Sequence, residues 1–384
     1  MKIGIITTST LTPFGGSEEI IYVLANTARQ KGHDVSVSVF DWGVLHHKWK
    51  SARENGVTVH TRTRVRFESR LKMVISKIAN RKISRQQLQK FNAKGFDLLI
   101  VNLGGLSSIE DETYLDLLEN YSGKYWIICH TCTEQQHPPI SLLPRISSIF
   151  KNAADVFFVA ERIRQIAERS IGCHLSNSSI IVNPVNMDKA GILPFPSNTQ
   201  LKMAVVGRLL SNVKGHALLL QVLGSENWKN RQWELDIFGA GPDLEYLEYL
   251  VKFYGLESKV FFRGHVGNIR DEIWALNHVL LMPSFFEGMP LSLFEAMLCG
   301  RTCVATNVGG VAEVVVDNGD GFIADAPTLQ SFSNAMERMW EHKSDLAAFG
   351  ERAYLSAVSY MEKGLNVDQL LEGLESQKVK KYQH

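Results

Sequence analysis

Apolar residues in this chain come in short, uninterrupted runs separated by stretches of helical spacing. In the first half the runs are Lys2 to Ile6, His33 to Val39, Asp97 to Val101, Lys124 to Cys129, Ala154 to Val159 and Ser179 to Val182. Each is strand length and bounded by turn residues, and runs such as Leu98 to Val101 are apolar without alternation, as strands of a parallel sheet covered on both faces are. Between them lie helical patterns, such as Ile20, Ile21, Leu24 and Ala28 on one face, and a helix from Glu161 to Ser170. A strand over 58–66 and a helix over 67–94 are also expected. The pattern then restarts. Leu201 to Val206, Trp233 to Phe238, Lys259 to Phe262, His278 to Met282 and Thr302 to Thr306 are further buried strands, with helices after Lys214, from about Asp243 and from about Leu329. Strand and helix in alternation predict an α/β protein of two Rossmann-like domains. The linker-like Pro194-Phe-Pro-Ser-Asn198 divides them. The expected domains are 1–190 and 199–360, followed by a helical tail over 361–384.

Ligands of open α/β sheets bind outside the carboxyl ends of the strands. In the first half those ends carry the Gly15-Gly16 loop, Asn102 and His130. The glycine pair permits a close backbone approach to a ligand, or a plain tight turn. It lacks G-x-G-x-x-G, so a dinucleotide is not indicated. In the second half the richest end is Pro283 to Glu313 (PSFFEGMPLSLFEAMLCGRTCVATNVGGVAE). The strand breaks at Pro283-Ser284, Glu287 and Gly288 fall in a turn, Pro290 suits the first turn of a helix, and Gly300 ends it. The amides of Gly288, Met289 and Leu291 lie near a helix N-terminus, which favours anions. Glu287 and Glu295 flank that end. Carboxylates repel phosphate but accept hydrogen bonds from hydroxyls, so an anion end with two such acceptors suggests a nucleotide-sugar.

Composition narrows the class. The chain has 384 residues, 45% hydrophobic and 21% charged, with a formal charge of +1, so its global charge selects no polyanionic partner. Five scattered cysteines form no disulfide framework, and Cys129-x-x-Cys132 lacks a second pair at zinc spacing. It is expected to be two half-buried thiols at a strand end. Met1-Lys2 leads directly into a strand, so no signal peptide is expected, and no apolar run reaches the ~20 residues of a membrane span. A cytoplasmic protein is the expectation.

The stretch Glu287-Gly-Met-Pro-Leu-Ser-Leu-Phe-Glu295 resembles the E-x7-E motif of retaining glycosyltransferases of family four, which have the GT-B fold. Gly300, Gly309, Gly310 and Glu313 are in register with it. The resemblance implies two Rossmann-like domains facing a central cleft, with a tail that crosses back to the first. It implies that Glu287 holds the donor sugar and Glu295 the ribose, beside Gly288, Met289, Pro290 and Leu291. Gly207-Arg208-Leu209 with Lys214-Gly215 is similar to the family's pyrophosphate-binding pair, so Arg208 and Lys214 inherit that role. Arg263 to Val266 falls where the nucleobase is contacted through backbone groups. His130 matches a histidine beside the donor sugar and acceptor, and Gly15-Gly16 a loop near the phosphates or acceptor. Asn183-Pro184-Val185-Asn186 replaces the family's NGVD. Arg301-Thr302 stands where the family has x-Pro, a departure expected to alter only a turn.

The resulting expectation is a retaining glycosyltransferase that moves a sugar from a nucleotide-diphosphate sugar to a glycan or lipid-linked acceptor in bacterial surface polysaccharide or glycoconjugate synthesis. No Asp-x-Asp stands at a strand end, so no metal or other cofactor is expected. The alternatives are a GT-B sugar-nucleotide epimerase or phosphorylase, and a non-catalytic glycan-binding or partner subunit. One segment departs from the neutral average. Between Arg62 and Lys94 stand eleven cations and a single acid, Glu68, with Leu71, Val74, Ile75 and Ile78 at helical spacing. It reads either as a helix with a solvated basic face or as a contact with an anionic membrane at the inner face of the plasma membrane. No motif for reading nucleic acid accompanies it.

Overall fold

The computed structural model describes residues 1–10, 12–63, 83–92, 95–135, 137–185, 187, 190–197 and 200–381. The chain divides into two units. One is Met1–Pro184 together with the chain from Gly364 onward, and the other is Val185–Lys363.

The first unit is built on a parallel sheet of β1 (Lys2–Thr7), β2 (Asp34–Phe40), β3 (Thr58–Arg62), β4 (Leu98–Leu103), β5 (Tyr125–Cys129), β6 (Asp155–Phe158) and β7 (Ser178–Ile180). Their order is β3-β2-β1-β4-β5-β6-β7. All residues of β4 and β5 are buried, which is why Leu98 to Val101 and Tyr125 to Cys129 read as unbroken apolar runs. The helix Gly16–Gln30 buries Ile20, Ile21, Leu24, Ala25 and Ala28. The chain returns to this unit after Lys363. Leu365 donates to the carbonyl of Ile180 and accepts from Val182, so it lengthens the β7 edge. The helix Val367–Lys381 then packs on Gly16–Gln30, with Leu370, Leu371 and Leu374 buried.

The second unit repeats the plan with β8 (Leu201–Val206), β9 (Trp233–Phe238), β10 (Val260–Gly264), β11 (Val279–Met282), β12 (Thr302–Thr306) and β13 (Phe322–Ala324), in the order β10-β9-β8-β11-β12-β13. Its core joins Leu235, Ile237, Leu281 and Val304 of the sheet to Leu219, Leu220, Phe332 and Met336 of the helices. Burying each such side chain fully contributes about 1.5–3 kcal/mol. In each sheet the strand order reverses once, between β1 and β4 and between β8 and β11. That reversal opens a crevice at the carboxyl ends.

Several expectations are corrected here. The third strand ends at Arg62 rather than 66, and helix is described only over 83–92. Most of the basic segment, including Arg64 to Lys82 and Lys94, lies outside the described residues. Arg62 is not part of any solvated basic face. It is 2% exposed, its guanidinium stacks 4.3 Å from the Phe40 ring centroid, and it donates to Tyr114 Oη and to the carbonyls of Thr7 and Ser38. Arg301 also does much more than alter a turn. It is fully buried, and its guanidinium donates to the carbonyls of Trp274, Asn277, Leu193, Cys299, Gly300 and Pro194. The segment before β8 is thereby tied to the end of the helix that carries Glu295. Burial lowers the Arg301 pKa to about 10, so the side chain stays charged at neutral pH. Cys129 and Cys132 are both buried rather than half-buried, and burial raises both thiols, which makes them inert.

Candidate functional site

The crevice of the second unit is assembled from the loops after β8, β9, β11 and β12. The loop after β8 is pinned to the loop after β9: Leu209 donates to Ala240 O at 3.0 Å, and Ser211 N donates to Asp243 Oδ2 at 2.6 Å. It is pinned to the loop after β11 by Phe285 N, 2.8 Å from Val213 O. Gly215 sits where these loops press together. Its φ is +70°, and a Cβ there would lie 1.9 Å from the Pro283 carbonyl oxygen, so only glycine fits. Gly309, after β12, is equally constrained. Its φ is +55°, and a Cβ would come within 2.2 Å of Gly288 O.

This packing brings two predicted residues into contact. Lys214 Nζ lies 2.7 Å from Glu287 Oε1. The two side chains come from the loops after β8 and β11, so the ion pair straddles the reversal point of the sheet. Their side chains are 20% and 8% exposed. Ser284 Oγ donates to the same Glu287 Oε1 at 2.7 Å, and Ser284 is itself held by Thr306, whose hydroxyl donates to its carbonyl. Oε1 is thus occupied twice. Sequence reading used Ser284 only as a strand break and passed over Thr306. The available signal was a serine three residues before the glutamate, within reach across one turn.

Arg208 is exposed, and its side chain makes no hydrogen bond or ion pair among the described residues. The helix Leu291–Leu298 takes Pro290 as its N-cap, one position earlier than expected, with φ −74° and ψ 122°. Glu295 lies on its second turn, near Arg270, Arg301 and Cys299, whose thiol is raised to about 11 by burial. Arg263 is only partly available: its Nε donates to Asp236 Oδ1 at 2.7 Å, while Val266 is half-buried. His216, next to the Lys214-Gly215 turn, is 1% exposed with neither ring nitrogen hydrogen-bonded, and burial lowers its pKa to about 4.

In the first unit the crevice holds Asn102 and His130. His130 Nε2 is 2.8 Å from Asn102 Oδ1, and Asn102 Nδ2 donates to Ser17 O at 3.0 Å. Asn102 therefore accepts from the ring, so Nε2 carries the proton and Nδ1 the lone pair. Burial lowers the His130 pKa to about 3, which keeps it neutral and makes it a poor general base. At the Gly15-Gly16 loop, the amides of Glu18 and Glu19 turn back to Gly15 O, and both carboxylates are buried in the first helical turn. Lys48 pairs with Glu19. Carboxylates already complement this helix N-terminus, so it is a weak place for a phosphate.

Among the described residues no group of three His, Cys, Asp or Glu side chains is placed to hold a metal ion, and no helix is long and apolar enough to cross a membrane.

Residues 194–356 match the family model of glycosyl transferases group 1. The chain is 29% identical over 199 residues to an exopolysaccharide phosphotransferase of Streptomyces coelicolor, covering 51% of this chain and 20% of that protein. It is 25% identical over 219 residues to the poly(glycerol-phosphate) alpha-glucosyltransferase of Bacillus subtilis, covering 54% and 31%. The chain thus spans less than a third of the length of either relative. Its fold matches the crystal structure of Anabaena HepE in complex with UDP, with a TM-score of 0.72 at 19% identity, over 98% of this chain and 100% of that one. The group 1 match covers the unit that holds the Lys214–Glu287 crevice, and the architecture of the chain is the GT-B fold.

Proposed function

We propose that this protein is a retaining glycosyltransferase that moves a sugar from a nucleotide-diphosphate sugar, of the UDP-sugar class, to a glycan or lipid-linked acceptor in bacterial surface polysaccharide or glycoconjugate synthesis. One observation carries the reading. At the reversal point of the second sheet a cation suited to a diphosphate touches a carboxylate suited to sugar hydroxyls, with Arg208 unpartnered close by in sequence. Departure of the nucleoside diphosphate breaks the bond between the anomeric carbon and a phosphate oxygen. Arg208 and Lys214 stabilise the charge that grows there, as preorganised donors do. Glu287 orients the sugar and Glu295 the ribose. The acceptor oxygen bonds to the anomeric carbon on the face the diphosphate leaves, and its proton passes to the departing phosphate oxygen. His130, neutral, holds a hydroxyl through Nδ1 rather than taking a proton. In this proposal the two cations and the helix N-terminus supply the positive charge, and no divalent ion is required. The name of the Bacillus subtilis relative, an alpha-glucosyltransferase, supports an α-linked product, which is retention when the donor is an α-linked nucleotide-sugar.

The test is to incubate the protein with UDP-sugars and candidate glycan or lipid-linked acceptors, and to read the product's anomeric configuration by NMR. An α-product from an α-donor, with nucleotide release dependent on acceptor, is expected. A β-product overturns retention, and conversion of the donor sugar without acceptor points to an epimerase. Contact with an anionic membrane through the segment ending at Lys94 belongs to the same proposal. Flotation with liposomes of increasing anionic lipid should carry the protein upward at low salt and lose it at high salt, because such attraction is screened. A protein that ignores these vesicles overturns the membrane contact and favours a water-soluble acceptor.

A further inference from the structure

We propose that Glu287 is an internal competitor for the diphosphate site, so that the Lys214–Glu287 pair makes the protein prefer an intact nucleotide-sugar over the nucleoside diphosphate it releases. The inference rests on the nucleotide-sugar reading above. Lys214 Nζ is 2.7 Å from Glu287 Oε1, and the carboxylate is 8% exposed. A diphosphate that reaches Lys214 must therefore either draw it away from Glu287 or lie beside a carboxylate whose charge repels phosphate. A nearly buried carboxylate stripped of its cation is costly unless another donor replaces it.

The two ligands differ at this point. An intact nucleotide-sugar brings phosphate oxygens for Lys214 and sugar hydroxyls for Glu287, so both partners of the broken pair are satisfied. A nucleoside diphosphate satisfies Lys214 alone. Glu287 then keeps one donor, Ser284 Oγ at 2.7 Å, and it pulls Lys214 back. The scaffold stays in place throughout. Phe285 N–Val213 O, the Gly215–Pro283 contact and the Thr306–Ser284 hydrogen bond hold both loops without the ion pair. Lys214 thus remains at the crevice when Glu287 is neutralised, with its charge uncovered. Arg208, exposed and with no side-chain partner among the described residues, carries no such competitor there and attracts both ligands alike.

The expected result is unusual for a binding residue: removing its charge strengthens one ligand. Calorimetry on the full chain would titrate UDP, ADP and GDP first, and then the corresponding nucleotide-sugars, into wild type, Glu287→Gln, Glu287→Ala, Lys214→Gln and the Lys214→Gln/Glu287→Gln double variant. Both Glu287 variants should bind the nucleoside diphosphate about 3- to 10-fold more tightly than wild type, the scale of a partly exposed ion pair. Their preference for the nucleotide-sugar should fall. In the Lys214→Gln background, Glu287→Gln should change nothing. Unchanged or weaker diphosphate binding in both Glu287 variants overturns the competitor, as does the same gain without Lys214. If no nucleoside diphosphate binds wild type or either Glu287 variant, the nucleotide-sugar reading itself fails and the competitor with it.

Discussion

The two units place different chemistry at the same topological position. In each, the sheet reverses its strand order once and leaves a crevice at the carboxyl ends. The first unit fills it with a neutral pair, Asn102 and His130, both almost fully buried. The second fills it with ions, Lys214 and Glu287, kept partly accessible. Neutral hydrogen-bonding groups survive deep burial cheaply when satisfied, whereas charges do so only when paired and hydrogen-bonded. The neutral crevice suits hydroxyls, and the charged one suits a ligand that carries its own charge. Each unit also buries one arginine against neutral oxygens, Arg62 in the first and Arg301 in the second. Charge as such therefore does not separate the units; its accessibility at the crevice does.

The contrast breaks most sharply at the charged pole. Lys214→Ala or Arg208→Ala should lower transfer turnover by on the order of 10²- to 10³-fold, equivalent to about 2.7–4 kcal/mol of lost charge stabilisation. Donor affinity should fall less, because the negative charge grows as the diphosphate leaves. Steady-state kinetics with a UDP-sugar would show this, and wild-type turnover in both variants would remove the cations from the mechanism.

Glu295 sharpens the contrast within the second unit. If it holds the ribose through charge-assisted hydrogen bonds of about 1.5–3 kcal/mol, Glu295→Ala weakens nucleotide and nucleotide-sugar equally. Glu287→Gln should instead move the two ligands in opposite directions. Parallel losses in both variants would erase the division of labour between the two carboxylates.

The smallest effect tests the neutral pole by pH. His130 and His216 have folded pKa values of about 3 and about 4, both lowered by burial. The unfolded chain takes up protons near the ordinary histidine value, while the folded protein does not. Stability is therefore highest above about pH 7 and falls as the pH drops through the window between about 6.5 and 4, by up to about 2 kcal/mol per histidine at pH 5. Urea midpoints at pH 7.5 and 5.0 should show the loss, and His130→Asn with His216→Leu should remove most of it. A slope unchanged in the double variant would assign the loss to other groups.

What the sequence determined by itself was local. Unbroken runs such as Leu98 to Val101 read as strands buried on both faces, because burying them is their main source of stability. Their alternation with helices dictates the two α/β halves. The Glu287 to Glu295 stretch is legible as a candidate donor site because strand, turn, helix start and carboxylates are all close in sequence. What tertiary structure decided was every relation between distant residues. Lys214 and Glu287 are 73 positions apart and meet only because β8 and β11 are neighbours at the reversal of the sheet. Arg62 and Arg301 look like surface cations until the folded chain closes over them and supplies carbonyl acceptors. His130 is neutral because of burial, which no spacing encodes. The last helix belongs with the first unit because its apolar face, Leu370, Leu371 and Leu374, is covered by the helix Gly16–Gln30 more than three hundred residues earlier. Local periodicity fixes which face must be buried, but only the folded chain decides against what.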